Sequence, residues 1–225
     1  MSHKPILRLL AILLVALPML AAPAHPARAA VRNPILFVHG WNGSSSTWTT
    51  MVGRFKQSGW TDSQLYNWSY DSSLSNATIA AQIKTKVDQI RAATGAAKVD
   101  IISHSMGALS SRYYLKNLGG SAYVDAWVSL GGPNHGTAIS SFCFSTACTE
   151  MRVGSSFLSA LNSVDETPGA VRYATWRSSC DLVIIPTSSV PVSGGTNTLT
   201  SACLSHSALH DDATVFNQVR TWIDQ

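Results

Sequence analysis

Val99-Asp100-Ile101-Ile102-Ser103-His104-Ser105-Met106-Gly107-Ala108-Leu109 is the stretch on which the fold turns. Val99 to Ser103 reads as a short apolar strand, and Ala108 to Leu118 has helix-forming composition. The small and polar residues between them leave room only for a tight strand-to-helix turn. Such a turn presents Ser105 at the carboxyl end of a sheet, beside the unpaired first N–H groups of the helix. Ser105 is therefore expected to be a nucleophile; the competing reading is an ordinary helix N-cap serine. The usual pattern for this turn is Gly-x-Ser-x-Gly. Here Ser103 occupies the first Gly position, where close approach to the helix limits bulk more than it demands Gly.

Outward from this turn, strands and helices alternate. Pro34 to His39 reads as a buried strand ending in the loop His39-Gly40-Trp41-Asn42-Gly43, with a helix near Thr50 to Gln57. Tyr66 to Trp68 is a short strand candidate. Asn76 to Thr94 carries Ile79, Ile83, Val87 and Ile90 at helical spacing, with Asn76 as an expected cap and Gly95 as a stop. Beyond the Ser105 helix come the strand Val124 to Leu130, the glycine-rich loop from Gly131 to Thr137, and a short helix over Met151 to Leu161. A strand at Val171 to Trp176, a last short one at Ala202 to Leu204 and a closing helix over Ala213 to Ile223 complete the pattern. Alternation of this kind implies a parallel, doubly wound α/β sheet.

Residues 1–29 combine Lys4 and Arg8, the apolar run Leu9 to Leu20 and the small-residue site Ala27-Arg28-Ala29. They are expected to be a secretory signal peptide cleaved before Ala30, leaving one domain over residues 30–225. The leader holds Lys4, Arg8 and Arg28 and no acid, so the remainder carries a formal +1 where the whole chain carries +4. No basic cluster survives to support nucleic-acid binding. Cys143, Cys148, Cys180 and Cys203 fit two disulfides in an exported protein. Of the three possible pairings, Cys143 with Cys148 and Cys180 with Cys203 is the favoured one. A zinc site would need paired C-x-x-C spacing, which is absent from the sequence.

Ligands of parallel sheets bind beyond the carboxyl ends of the strands, so the chemistry should sit in the loops after successive strands. The chain order Ser, acid, His then selects residues. Asp181 follows the strand Val171 to Trp176 and is the best acid. Asp165 and Glu166 precede that strand, and Asp211 and Asp212 suit the start of the last helix, where acids offset its dipole. The base must be His206 or His210.

Five segments carry a family resemblance across the whole mature chain: Phe37-Val38-His39-Gly40, Lys98 to Gly107, Tyr113 to Leu118, Ser129 to Gly136, and His206 to Ile223. Together they resemble the small secreted bacterial triacylglycerol lipases (lipase class 2 type) of the α/β-hydrolase superfamily. The resemblance implies a compact α/β-hydrolase fold and hydrolysis of carboxylic esters by a Ser105–His206–Asp181 triad. In that family an apolar residue stands three places after the histidine, and inward residues of the last helix follow. Counting from His206 gives Leu209, Val215, Val219 and Ile223; counting from His210 gives Ala213 and loses the match. The implied oxyanion donors are the backbone N–H groups of Met106 and Trp41. His39 corresponds to a structural histidine beside the oxyanion loop, while His104 and His135 take structural or rim roles.

Trp41 either lines the acyl pocket or packs as a core aromatic. Ala138 to Asn162, with Phe142, Phe144, Met151, Phe157 and Leu158, is expected either to form a wall or at most a partial cover over the acyl site, or to be a packed crossover helix with a stapled surface loop. The bridge from Cys180 to Cys203 would tie the acid loop to the base loop. The partner class implied is an ester or lipid substrate, with no nucleic acid, no metal or other cofactor, no transmembrane span in the mature protein, and a monomeric state. The alternatives are another serine acyl hydrolase on the same scaffold, such as a phospholipase, polyester depolymerase or acyltransferase, and a catalytically silent binding module.

Overall fold

A computed structural model describes Met1 and residues 32–225. The expected leader and its cleavage site lie outside the described residues, Met1 apart. Residues 32–225 form one compact unit. It is built on six strands: β1 Ile35–Val38, β2 Leu65–Asn67, β3 Val99–His104, β4 Val124–Leu130, β5 Arg172–Arg177 and β6 Thr196–Leu199. Their order in the sheet is β2-β1-β3-β4-β5-β6, and every neighbouring pair is parallel. A parallel sheet must be covered on both faces, and β1 and β3 are buried throughout.

The cover is split between two cores. Helices α2 (Asn76–Thr94) and α3 (Gly107–Asn117) lie on one face, where Ile79, Ile83, Val87 and Ile90 meet Leu36, Val38 and Ile101. Helices α1 (Thr49–Gln57) and α7 (Ala213–Ile223) cover the other, where Met51, Phe55, Val215 and Val219 pack on Ile35, Phe37 and Ile102. Each such buried aliphatic side chain contributes about 1.5–3 kcal/mol relative to exposure, so the helical stripes dictate which face each helix covers. Between β4 and β5 the chain forms two short helices, α4 (Thr146–Glu150) and α5 (Ser156–Asn162), and between β6 and α7 the one-turn helix α6 (Ala208–Asp211).

Three local expectations are corrected. The last strand is Thr196–Leu199, not Ala202 to Leu204: as an edge strand with mostly exposed side chains it carries no hydrophobic alternation. The helix expected over Met151 to Leu161 begins only at Ser156 (α5), after Gly154 at φ +76° and the Ser155 cap, and a separate short helix, α4, ends at Glu150 before that range. Ser75, rather than Asn76, caps α2, its Oγ accepting from Thr78 N–H at 3.1 Å. Asn76 is buried inside the first turn, where its backbone and side-chain N–H groups donate to Glu150 Oε2 at 2.7 and 2.8 Å. Gly95 stops the helix in the left-handed region, as expected.

Candidate active site

At the end of β3 the chain turns through Ser105 at φ +54°, a conformation that costs a non-glycine residue on the order of 1–3 kcal/mol. The turn is held by Ser105 N–H donating to the Leu130 carbonyl at 3.0 Å. It also needs empty space on two sides. A Cβ on Gly40 would lie 2.6 Å from the Ser105 Cβ, and one on Gly107 would lie 2.5 Å from the carbonyl oxygens of Val38 and His39. Ser103 fits the first position of the elbow because its buried hydroxyl donates to the Val128 carbonyl of β4 at 2.7 Å.

The loop after β5 brings Asp181 to the loop that carries His206. His206 Nδ1 lies 2.8 Å from Asp181 Oδ2, and the other carboxylate oxygen accepts from Val183 and Ile184 N–H at 2.8 and 3.0 Å. Burial pushes the Asp181 carboxyl up. The hydrogen bond and charge of His206 and the two backbone N–H groups outweigh it, so its pKa lies below the usual carboxylate range. A carboxylate partner fixes Nδ1 as the protonated nitrogen of neutral His206 and leaves Nε2 as an acceptor. Gly131, at φ +58°, lies beneath this pair; a Cβ there would come within 3.2 Å of both Asp181 Oδ2 and His206 Cε1.

Ser105 and His206 share a cavity of about 390 Å³, lined also by Gly40, Trp41, Thr137, Ile139, Phe142 and Met151. The segment from Ala138 onward thus forms one wall. Trp41 is part of the lining and not of the core. The N–H groups of Trp41 and Met106 have no acceptor among the described residues. Each is a spare donor next to a residue of the turn, Met106 following Ser105 and Trp41 following Gly40, which packs against Ser105. The loop from His39 to Gly43 is braced by His39, whose Nδ1 donates to the Gly40 carbonyl at 2.8 Å and whose ring stacks on Tyr70 with centroids 3.9 Å apart. Tyr70 N–H reaches His39 Nε2 at 3.4 Å. Burial lowers the His39 pKa against the Gly40 hydrogen bond, which keeps the ring neutral.

The other candidate acids and His135 lie elsewhere, while His210 lines the same cavity as Ser105 and His206. Glu166 accepts from His135 Nε2 at 2.9 Å and from Ser193 N–H at 2.8 Å, and Asp165 caps its own turn at Thr167. Asp212 caps α7 through Thr214 and Val215. His210 is buried against Trp48, with Asp211 3.2 Å from its Nδ1. Two further residues border the pair, His104, for which a structural or rim role is expected, and Ser178, which the sequence did not single out. His104 packs its ring 4.5 Å from His206 and 4.7 Å from His210, and Ser178 Oγ accepts from both Cys180 and Leu204 N–H. Among the described residues no group of three or more His, Cys, Asp or Glu could hold a metal ion.

A parallel sheet with a serine on its strand-to-helix turn and an acid–imidazole pair in the following loops defines a hydrolase of the α/β type. The chain belongs to the class 2 lipase family, whose model, described as Lipase (class 2), matches residues 32–221. The fold is similar to that of the mature Bacillus licheniformis lipase BlEst2, at 20% identity and a TM-score of 0.74 over 89% of this chain and 94% of that one. It is also similar to Aspergillus fumigatus lipase B, at 16% identity and 0.69 over 82% of this chain and 51% of that one. A Listeria innocua protein superimposes at 12% identity and 0.69, over 87% and 95%. The chain is an ester hydrolase of this family. Both expected disulfides, Cys143–Cys148 and Cys180–Cys203, are present.

Proposed function

We propose that this chain is an exported serine carboxylic-ester hydrolase, a triacylglycerol lipase or carboxylesterase, working through Ser105, His206 and Asp181 by way of an acyl-enzyme. One observation carries the reading: the 2.8 Å contact between His206 Nδ1 and Asp181 Oδ2 occurs at the cavity that also holds Ser105 in its left-handed turn. Asp181, held ionised, keeps the His206 proton on Nδ1. Nε2 then takes the proton of Ser105 as its Oγ attacks the ester carbonyl. The carbonyl electron pair moves onto oxygen, where the N–H groups of Met106 and Trp41 receive it. Collapse expels the alcohol, protonated by His206, and leaves an acyl–Ser105 ester; water, deprotonated by His206, releases the acid and restores the serine. Every step is a proton or acyl transfer for which the chain supplies its own groups.

Export is supported by two disulfides and the leader-like composition of residues 1–29. No helix among the described residues is long and apolar enough to cross a membrane.

Hydrolysis of p-nitrophenyl esters from two to sixteen carbons, with Ser105→Ala as control, tests the proposal. Turnover by the parent chain, lost in the control, is expected, together with stoichiometric labelling of Ser105 by an organophosphonate. An inert parent chain that also resists the phosphonate would leave a silent scaffold.

A further inference from the structure

The two walls of the cavity differ in what their polar groups are bonded to. In the sheet, β3 lies between β1 and β4, so the loops after β1 and after β4 stand on opposite sides of Ser105. Beyond β4 and β5 the lining is apolar, with Ile139, Phe142, Met151 and Ile184, and its two hydroxyls are committed. Thr137 Oγ1 donates to the Val183 carbonyl at 2.6 Å and accepts from Ile185 N–H at 3.1 Å, and Ser140 Oγ donates to the Thr137 carbonyl at 2.7 Å. On the other side stand Asn42 and Thr47 from the loop after β1, with Ser207 and His210 from the segment that carries His206. The Trp48 ring, 6.0 Å from that of His210, joins the two groups. The side chains of Asn42, Thr47 and Ser207 make no hydrogen bond to another described residue. His210 has Asp211 Oδ1 3.2 Å from its Nδ1, and its Nε2 has no partner among the described residues. Trp41 is the one large apolar side chain on this side and is 40% exposed. The polar groups run outward from buried His210 through half-buried Thr47 to exposed Asn42 and Ser207.

The reaction decides which wall meets which half of an ester. The carbonyl carbon attacked by Ser105 carries three other substituents: the oxygen drawn to the Met106 and Trp41 N–H groups, the leaving oxygen and the acyl chain. The leaving oxygen must face His206 Nε2, which protonates it. The alcohol therefore departs on the side of His206, Ser207 and His210, and the acyl chain takes the apolar wall. With Asp211 beside Nδ1, that nitrogen carries the proton of the neutral His210 ring, and Nε2 is an acceptor. Burial, with the charge of His206, holds His210 below the ordinary histidine pKa against Asp211. A hydrocarbon alcohol would cover this acceptor and leave it unpaired, whereas a hydroxyl would satisfy it.

We propose that Thr47, Ser207 and His210 form a subsite for a free hydroxyl on the alcohol half of the substrate, so that the chain selects esters of polyols, such as partial acylglycerols or acyl sugars, over esters whose alcohol has no free hydroxyl. The proposal rests on the ester-hydrolase reading and names its substrate class. The substrate hydroxyl donates to His210 Nε2 and accepts from the Thr47 or Ser207 hydroxyl. Further hydroxyls of the polyol follow exposed Asn42 and Ser207 out to water.

Steady-state rates on two matched pairs of soluble butyrates test this. 1-Butyrylglycerol and its 2,3-dimethyl ether differ in hydroxyl donors and not in the ester, as do 6-O-butyrylglucose and its O-methylated form. The parent chain should favour the hydroxylated member of at least one pair by about tenfold or more in kcat/KM, mainly through KM. The pair with the larger ratio identifies glycerol or sugar as the source of the hydroxyl. His210→Leu should bring that ratio to within about threefold of one, and His210→Gln, whose amide oxygen still accepts, should retain part of it. Thr47→Val, on a separate loop, should lower the ratio by about threefold or more. A role of His210 in packing alone would slow both members of a pair alike and leave the ratio where it was. A parent ratio near one for both pairs, or a ratio that survives both His210→Leu and Thr47→Val, would overturn the hydroxyl subsite while leaving the hydrolase reading in place. No turnover of any of the four esters by the parent chain would remove the hydrolase reading, and the subsite with it.

Discussion

His104 Nε2 lies 3.1 Å from the carbonyl oxygen of His206, so the residue before the elbow serine supports the backbone of the proposed base. A carbonyl can only accept, which makes Nε2 the protonated nitrogen of His104. Burial, reinforced by His206 and His210 and by the more distant His39, holds this imidazole well below its usual pKa, against the hydrogen bond to His206. It is a neutral donor across the working range. His104→Leu should lower kcat/KM about tenfold, the scale of one buried hydrogen bond with some displacement of the ring it supports. His104→Gln, whose amide can still donate, should recover part of that loss. The acidic limb of the kcat/KM profile should not move in the Gln variant; a displaced limb would show that His104 titrates during catalysis.

The two candidate bases should separate cleanly. His206→Ala is expected to cost about 10⁴-fold or more in kcat, the scale seen when a triad member is removed. His210 touches Trp48 and His104, not Asp181, and its variant should lose no more than about tenfold. Steady-state rates on one soluble ester decide the matter, and the reverse ranking would transfer the role to His210 and its neighbour Asp211.

Asp100 makes the fold less stable as pH rises. It is buried in β3, accepting from Asn33 Nδ2 at 3.4 Å and Ala126 N–H at 3.1 Å. Burial and the charge of Asp125 push its carboxyl up to about 7, against Asn33, Ala126 and Arg172. Between about pH 4 and 7 the native state therefore binds a proton that the unfolded chain has lost. This contribution is full below about pH 4, declines through that window and is gone above about 7. Asp100→Asn keeps an acceptor for both contacts and removes the titration. Urea unfolding should show it more stable than the parent by about 2–4 kcal/mol at pH 8 and nearly equal to it at pH 4. Equal stability at pH 8 would mean that Asp100 is solvated.

What the sequence reveals follows the reach of each interaction. Helix α2 is legible because Ile79, Ile83, Val87 and Ile90 face one core, and β3 because both its faces are buried. Strand β6 leaves no such mark, since Thr196, Asn197 and Leu199 are exposed. The elbow at Ser105 is a local event, and its glycine partner Gly107 is two residues away. The choice of His206 over His210 is different in kind, because both have the right place in the order and only the family spacing separates them. The support from His104 spans 102 positions in sequence, and that from Ser178 to Leu204 spans 26; contacts this distant leave no periodic trace.

Ser178 decides what the Cys180–Cys203 bridge is for. The bridge joins the strand-end loop that holds Asp181 to the loop that leads into His206, closing a separation of 23 residues. On the chain-entropy model, removing it should destabilise the fold by about 3 kcal/mol. If it alone set the catalytic geometry, kcat of the folded Cys180→Ser/Cys203→Ser variant would collapse as well. Yet the buried Ser178 hydroxyl already clasps both loops, accepting from Cys180 N–H at 3.1 Å and Leu204 N–H at 2.9 Å. Two restraints on one junction are partly redundant, so their loss should be non-additive. The double Ser variant should keep kcat within about threefold below its melting temperature, and Ser178→Ala alone should do the same. Combining the three substitutions should cost a further tenfold or more, because neither clasp then holds Asp181 against His206. Strictly multiplicative losses would mean that the two clasps act independently.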